Sequence, residues 1–419
     1  MTSASLARGG AGHSTRTAID VSGEGRSLND DSVALGSLHE RDRRYRLLRE
    51  SMVESGLDAL VVASQGDGTS HARVNYLAKY VYQGSVVMVV MPLDGSPILI
   101  TDPLPVWPSG DWIGEDDTRA VTCVGREVGE VLVELGLSNG RIGLVSRDDV
   151  RESDYRAIAE AVPDAHLVDA REVFERVSLI KSGAEFEAYR STALIAKRAV
   201  KALEASLSPG RSERDVVAEA HRLLRLFGCG PSVIAIAKRP FATRGRLRSS
   251  GFRAPTDQTI VRQDVVVFEF DVTGPDGYGV EFRRVYSFEP LDEPSTQFLA
   301  WREEVFEACM KVMRPGVNIQ QVDQVVRSMS VAKGYEDTRL SPQWHVHGLG
   351  LGLEPPFVPG PDLTLRAGMV MVLHPILRLG AKEMATVGDL GPSDSVLITD
   401  TGCERLVDPV DSMCVVLSP

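Results

Sequence analysis

Two short apolar segments near the carboxyl end of the chain, each carrying one histidine, constrain the fold most strongly. The first segment begins at His347 and alternates glycine with leucine, and the second opens with Gly-Met and ends at His374. Upstream, two further apolar segments carry the acidic residues Asp271 and Glu281. Short apolar runs bounded by glycine and proline are typical of strands. We therefore expect two carboxylates and two imidazoles on strands of one sheet.

These four side chains are the material either of a metal site or of an acid–base site without metal. Asp271 lies in an otherwise apolar strand, where an unpaired carboxylate is costly, and this favours a functional role for it. Imidazole titrates near neutral pH and is also the commonest metal ligand, so the two histidines fit both kinds of site. The pattern alone leaves the two interpretations open.

The composition excludes several classes of function. Of the 419 residues, 43% are hydrophobic and 25% are charged, as in ordinary soluble globular proteins. The net charge of −12 leaves no basic excess for neutralising phosphates, so no nucleic-acid partner is expected. No apolar run reaches the length of a transmembrane helix, so no membrane partner is expected. The five cysteines lack CxxC pairs, which indicates a reducing, cytoplasmic location.

The chain divides into a tail and two predicted domains. Residues 1–37 are rich in serine, glycine, threonine and arginine, lack the apolar core of a secretory signal, and are expected to form a disordered or loosely docked tail. Residues 38–170 alternate strands with helices, which predicts an α/β domain. Residues 171–419 show two helices followed by strands, twice over, which indicates an internal structural duplication around a shared site.

Short motifs spread from about Arg41 to the carboxyl end occur in the order seen in one superfamily. They are Gly56-Leu57-Asp58-Ala59-Leu60-Val61-Val62, Asn75-Tyr76-Leu77, Glu185-Phe186-Glu187-Ala188-Tyr189-Arg190, Pro255-Thr256-Asp257, Gly368-Met369-Val370 and Leu397-Ile398-Thr399-Asp400-Thr401-Gly402-Cys403-Glu404. In these residues the chain resembles the "pita-bread" superfamily of methionine aminopeptidase, aminopeptidase P, prolidase and creatinase. The resemblance implies an α/β N-terminal domain of the creatinase type and an α+β pita-bread catalytic domain.

The resemblance also implies a set of metal ligands. The peptidases of this superfamily hold two divalent metals with Asp, Asp, His, Glu and Glu. Carried over position by position, these ligands fall on the following residues: Asp271, Glu281, His347, His374 and Ser393. Two of the five ligand types are kept, two are exchanged for other ligand types, and the carboxylate that bridges the two metals becomes a hydroxyl.

The loss of the bridging carboxylate argues for a smaller site, because a serine hydroxyl is not an anion at neutral pH and cannot bridge two dications as one. Glu281, His347 and His374 still offer a carboxylate and two imidazoles, a set able to hold a single Fe²⁺, Mn²⁺ or Zn²⁺ ion. Asp271 would supply a fourth ligand or orient one of the three. Hydrolysis at such a site would use Glu354 or Asp271 as the base.

A metal-free site like that of creatinase is the alternative. There His347 or His374 would move protons, and the nearby acidic residues would hold a cationic or amide group. Arg253 would hold a substrate carboxylate. Three further positions are expected to line the substrate: Phe252, His345 and Ser393.

Three functions follow as hypotheses. The leading one is a small-molecule enzyme, a hydrolase or lyase that cleaves a C–N (amide or amidine-type) or related bond with at most one metal ion. The second is an Xaa-Pro-type metallopeptidase with altered ligands, and the third is a catalytically inactive binding module. The resemblance further implies a homodimer in which the first domain of one subunit closes the site of the other.

Overall fold

The computed structural model describes most of the chain after Val33. The described residues are 34–64, 70–79, 86–103, 112–145, 147–239, 252–334, 346–354, 363–375, 386–388, 390–407 and 414–417. None of the described helices combines the length and the apolarity that crossing a membrane requires.

The first part of the described chain forms one mixed sheet with helices packed on it. Its helices are α1 (Leu38–Glu54), α2 (Ser70–Ala78), α3 (Val124–Glu134), α4 (Glu152–Ala161) and α5 (Arg171–Ser178). Its strands are β1 (Ala59–Ser64), β2 (Val87–Pro92), β3 (Ile98–Thr101), β4 (Thr118–Ala120), β5 (Arg141–Val145) and β6 (His166–Asp169). They lie in the order β4-β3-β2-β1-β5-β6. The central strands β1 and β2 are buried along their whole length, as expected for a sheet covered on both faces.

The second part of the described chain carries two sheets. Its helices are α6 (Gly183–Ser206), α7 (Glu213–Leu226), α8 (Glu293–Val312) and α9 (Ile319–Ala332). Its strands are β7 (Val233–Lys238), β8 (Val265–Thr273), β9 (Gly279–Ser287), β10 (Val346–Leu349), β11 (Leu353–Glu354), β12 (Val370–Leu373), β13 (Asp394–Ile398), β14 (Cys403–Arg405) and β15 (Cys414–Val416). One sheet has the order β15-β9-β8-β7 and the other β11-β10-β12-β13-β14. Two helices precede strands twice, in the order predicted from the sequence.

Asp271 and Glu281 lie on one of these sheets and His347 lies on the other, which corrects the expectation of a single sheet. The two sheets meet where β9 lies beside β13. The backbone amide of Arg283 donates to the carbonyl of Ser393 at 3.0 Å. The Ser395 hydroxyl accepts from the amide of Glu281 at 2.8 Å and donates to the Glu281 carbonyl at 3.1 Å. These bonds fix the strand that carries Glu281 against the strand that follows Ser393.

Side chains along β8 and β9 point alternately to the two faces of their sheet. One face packs into the hydrophobic core, and the other carries the candidate site residues. Phe268, Phe270 and Phe282 point to one face, where they are fully buried, and the rings of Phe270 and Phe282 stack at 4.8 Å. Successive side chains of a strand point to opposite faces. Asp271 and Glu281, each one position along from a core phenylalanine, therefore lie together on the other face.

A capping box starts the first helix of the second part. The Ser182 hydroxyl accepts from the Glu185 amide, and the Glu185 carboxylate accepts from the Ser182 amide at 2.7 Å. This reciprocal pair satisfies donors that the first turn would otherwise leave unpaired, and it begins α6 at Gly183. It also holds the Glu185 carboxylate where α6 faces α1.

A buried cluster of charges joins α1 to the second part of the chain. Arg44 contacts Glu40 at 2.9 Å, Glu185 at 3.5 Å and the hydroxyl of Tyr278 at 3.0 Å. Tyr278 in turn donates to Glu185 at 2.6 Å. All four side chains are at most 2% exposed. Buried charges are stable only when they are paired and hydrogen-bonded, so this cluster depends on every member.

The last residues of the predicted tail lie against the folded chain. Leu35 is buried, and the indole of Trp112 donates to the carbonyl of Gly36 at 3.1 Å. Ser37 caps α1 by accepting from the amide of Glu40. The rest of the tail lies outside the described residues, and the boundaries at residues 37 and 170 stay predictions.

Replacing Arg44 by methionine should destabilise the protein strongly. The change removes the buried cation shared by Glu40 and Glu185, which then keep the more exposed Arg43 as an ion-pair partner, and this costs about 3 kcal/mol of unfolding free energy. Arg46→Met is the matched control, since Arg46 pairs with Glu50 on the same helix but both side chains are more than half exposed. That change should cost less than about 1 kcal/mol. Urea denaturation measures both; equal losses would contradict the role given to the buried cluster.

Candidate metal centre

Three candidate ligands converge on one point. Glu281 comes from β9, His347 from β10, and His374 directly follows β12; their ligand atoms all lie within 4.8 Å of one another. The strand register explains the convergence of the histidines. His347 pairs with Val372, and since residues two apart share a face, His374 points to the same side of the sheet as His347.

The contacts within this group are short. Nε2 of His374 lies 2.9 Å from one carboxylate oxygen of Glu281, and Nε2 of His347 lies 3.4 Å from the other. The two Nε2 atoms are 3.1 Å apart, and the rings stack with centroids 5.1 Å apart. Both histidines are about 5% exposed, while the Glu281 side chain keeps 14% of its surface accessible. The group is thus nearly buried, with its opening beside Glu281.

The outer nitrogens of both rings are engaged. Nδ1 of His347 donates to the carbonyl of Gly348 at 3.0 Å. A carbonyl only accepts, so the proton of the neutral His347 ring lies on Nδ1, and the Nε2 lone pair faces the centre. Nδ1 of His374 lies 2.7 Å from the hydroxyl of Ser393, which can donate or accept.

The donor set therefore fits a metal ion. With the Ser393 hydroxyl accepting from Nδ1–H of His374, both Nε2 lone pairs face one point beside an anionic carboxylate. Two lone pairs 3.1 Å apart repel unless a proton or a cation lies between them. Two imidazoles and one carboxylate on one side of an ion form a set that suits Fe²⁺, Mn²⁺ or Zn²⁺ and leaves positions open.

The electrostatics hold Glu281 in the ionised state that a metal requires. Burial alone would raise the pKa of Glu281, but the positive charge of a protonated His374 and hydrogen bonds from both imidazoles outweigh it, so this pKa lies well below its usual range. Burial lowers the pKa of His374, against the opposing attraction of Glu281. A bound dication would replace the imidazole protons in stabilising the Glu281 carboxylate, because metal binding requires neutral rings.

Asp271 lies next to this group without being part of it. It pairs directly with Glu281 across β8 and β9, and its side chain is exposed. Desolvation by the surrounding protein and repulsion from Glu281 raise the pKa of Asp271 above its usual range. Its predicted roles, as a fourth ligand or as a base, stay predictions.

Glu354 does not lie with the histidines, which corrects the expectation that it lines the same site. In the hairpin of β10 and β11 it pairs with Gly348, the neighbour of His347, so it projects from the opposite face of the sheet. Its two carboxylate oxygens accept from Nζ of Lys181 at 2.8 and 2.6 Å. Lys181 also donates to the carbonyl of Ser178 at 2.6 Å, so the pair joins the Gly-rich hairpin to the start of α6.

The expected substrate-binding residues have other partners in the structure. Arg253 forms a two-pronged ion pair with Glu213 at 2.6 and 2.7 Å, so the guanidinium expected to hold a substrate carboxylate is already bound to a carboxylate of this chain. Phe252 packs its ring against the guanidinium of Arg283 at 4.7 Å. Ser393 contacts His374, as described above, and His345 lies outside the described residues.

Arg283 and Glu269 are two further charged residues on the face of β8 and β9 that carries Asp271 and Glu281. They pair across β8 and β9, and Nε and Nη2 of Arg283 donate to one Glu269 oxygen at 3.0 and 2.8 Å. Each lies two residues from Asp271 or Glu281 in the sequence. The period of two along a strand is therefore a signal that would have placed both on this face.

Family models match both parts of the chain. The model of metallopeptidase family M24 matches residues 187–401, and the model of the creatinase/prolidase N-terminal domain matches residues 44–180. The first match covers more than half of the 419 residues and includes Asp271, Glu281, His347, His374 and Ser393.

Two relatives of this chain carry the names of dipeptidases, which agrees with a family of metallopeptidases. The probable dipeptidase PepE of Mycobacterium tuberculosis (strain H37Rv) is 25% identical over 292 residues, which are 70% of this chain and 72% of that protein. The Xaa-Pro dipeptidase of Pyrococcus furiosus is 24% identical over 243 residues, which are 56% of this chain and 65% of that protein.

Solved structures show the same fold. The prolidase of Pyrococcus horikoshii OT3 matches with a TM-score of 0.72 at 18% identity, over 88% of this chain and 99% of that one. The dipeptidase PepE of Mycobacterium ulcerans matches with a TM-score of 0.73 at 20% identity, over 91% of this chain and 99% of that one.

These matches confirm the predicted fold class, a creatinase-type α/β N-terminal domain followed by an α+β pita-bread catalytic domain. They also confirm the resemblance on which the ligand positions were carried over. Together with the family model that spans residues 187–401, they establish that the chain belongs to metallopeptidase family M24.

Proposed function

We propose that this protein is a metal-dependent hydrolase of short peptides, of the Xaa-Pro dipeptidase type, with one divalent ion held by Glu281, His347 and His374. The observation that carries the proposal is the convergence of both Nε2 atoms on the Glu281 carboxylate, within 3.4 Å. A family of metallopeptidases supports hydrolysis, and the names of the two relatives support dipeptides as substrates.

This proposal favours the second of the three hypotheses drawn from the sequence. The family and the named relatives support a peptidase. They do not support a lyase or an enzyme that cleaves an amidine-type bond. The reaction still breaks a C–N bond, the amide bond of a peptide. A retained cluster of ligand-capable side chains argues against an inactive binding module.

The chain's own residues would position the ion and the substrate. A divalent ion in this site supplies a Lewis acid that polarises the scissile carbonyl and acidifies water. Gly348 holds the His347 ring through Nδ1, and Ser393 holds the His374 ring in the same way. Such contacts fix ring orientation and the ring nitrogen left free for the metal.

Asp271 is the better candidate for the base. It lies beside Glu281, and a pKa raised by desolvation and by Glu281 makes its carboxylate a stronger base than that of an ordinary aspartate. The Glu354 carboxylate, in contrast, is held through both oxygens by Lys181 on the other face of the sheet.

A metal-free acid–base site is a second candidate, and one observation favours it. Glu281, His374 and Ser393 form a continuous line of contacts of 2.9 and 2.7 Å, in which His374 can pass a proton between the carboxylate and the hydroxyl. The two candidates differ in their need for a metal. Activity that survives exhaustive chelation would favour the second.

A homodimer and a cytoplasmic location also belong to the proposal. Both rest on the family resemblance and on the scattered cysteines. A small peptide as the substrate is consistent with the acidic net charge of −12, which disfavours a nucleic-acid partner.

Removing a ligand should abolish peptidase activity. His374→Ala and Glu281→Gln should each lower kcat/KM on Xaa-Pro dipeptides at least about 100-fold in Mn²⁺ or Zn²⁺, because a Lewis acid supplies several kcal/mol of transition-state stabilisation. His221→Ala, a half-buried histidine on α7, is the control and should stay active. Peptide hydrolysis by purified protein, with creatine as a comparison substrate, measures this. A metal-loaded wild type that cleaves none of a dipeptide panel would overturn the substrate class.

Removing the Ser393 hydroxyl should weaken metal binding without destroying the site. Ser393→Ala frees the outer nitrogen of His374, and loss of such a contact typically lowers metal affinity 10- to 100-fold, so about tenfold weaker Zn²⁺ binding is expected. Ser330→Ala is the control, since this buried serine donates within α9. Competition titration with a chromophoric chelator measures both. Unchanged affinity in Ser393→Ala would show that the hydroxyl does not orient the ligand.

A further inference from the structure

The site face of β8 and β9 carries four charged side chains in two facing pairs. Glu269 pairs with Arg283, and Asp271 pairs with Glu281. Side chains that face each other across antiparallel strands lie on the same side of the sheet, as do residues two apart along a strand. The four charged side chains therefore form one patch, which extends along the strands from the proposed metal ligand Glu281 to Arg283.

Arg283 is held in one position within this patch. Two of its nitrogens donate to a single oxygen of Glu269 at 3.0 and 2.8 Å, and its guanidinium lies over the ring of Phe252 at 4.7 Å. The residue is 6% exposed. Its backbone amide bonds to the carbonyl of Ser393, next to His374. A planar guanidinium fixed by a carboxylate and an aromatic face carries a permanent charge that cannot easily move away.

The charges of the patch match one divalent ion. In the metal-bound state the cation keeps the three carboxylates ionised and the histidines neutral, so the three carboxylates and one guanidinium carry a net charge of −2 before the ion is counted. One dication brings the group to neutrality, whereas a second would leave a net charge of +2 beside the two buried histidines. Uncompensated charge in such surroundings is strongly unfavourable.

We propose that Arg283 acts as a built-in cation that restricts the centre to one divalent ion. It does so by occupying Glu269, which leaves Asp271 and Glu281 as the carboxylates for the metal. The inference rests on the proposed metal binding at Glu281, His347 and His374. Without Arg283, Glu269 and Asp271 would offer a second pair of carboxylates, on the same strand face, for a second ion.

Metal stoichiometry tests the inference directly. Wild-type protein, Arg283→Gln and Arg283→Lys are dialysed to equilibrium against Mn²⁺ and analysed for bound metal. The wild type and Arg283→Lys, which keeps the positive charge, should hold one equivalent, and Arg283→Gln should hold two. A wild type with one equivalent and an Arg283→Gln variant that also holds one would overturn the inference alone. A wild type that binds no Mn²⁺ or Zn²⁺ would overturn the proposed metal centre itself.

Glu269→Gln provides a second test that keeps Arg283 in place. It removes one of the three carboxylates, so the patch carries a net charge of −1 and the single ion should bind at least about tenfold more weakly. Circular dichroism melting checks that each variant is folded. If Arg283→Gln does not fold, Glu269→Gln decides the matter, because unchanged or tighter binding of the single ion would contradict the charge balance.

Discussion

The hydrogen bonds that fix β9 against β13 are the constraint on which the site depends. Glu281 belongs to one sheet, while His347 and His374 belong to the other. The bonds from Glu281 to Ser395 and from Arg283 to Ser393 bring the two sheets together at that point. Because buried backbone groups must find partners, the backbone of Glu281 and Arg283 bonds to the Ser395 hydroxyl and the Ser393 carbonyl, and this junction holds the ligands in place before any ion binds.

The same junction explains how the centre differs from a two-metal site. It places the Ser393 hydroxyl on Nδ1 of His374, where it orients a ligand but adds no negative charge. On the neighbouring strand it places Arg283, which adds a positive charge and engages Glu269. One carboxylate fewer and one fixed cation more both favour a single ion over a pair.

The fold and the three central site residues are predictable from the sequence, but the directions in which several other side chains point are not. The strands that carry Glu281 and the two histidines are readable as apolar runs, and their ligand chemistry follows from residue type. Glu354 is one residue whose direction the sequence does not reveal. It pairs with Gly348 and not with His347, and this difference of one residue in register turns its carboxylate to the opposite face of the sheet. Arg253 shows a second reason, because its partner Glu213 lies 40 residues away and only the folded chain brings them together. The period of two along the strands places Arg283 and Glu269 on the site face, but only the register of the two strands shows that they face each other.

The central claim is that one ion sits between both Nε2 atoms and Glu281. Anomalous diffraction from crystals soaked in Zn²⁺ tests it most directly. The account predicts one strong peak in this part of the molecule, at about 2.0–2.2 Å from Nε2 of His347, Nε2 of His374 and an oxygen of Glu281. Two peaks of comparable height there, or no peak within bonding distance of the two imidazoles, would contradict it.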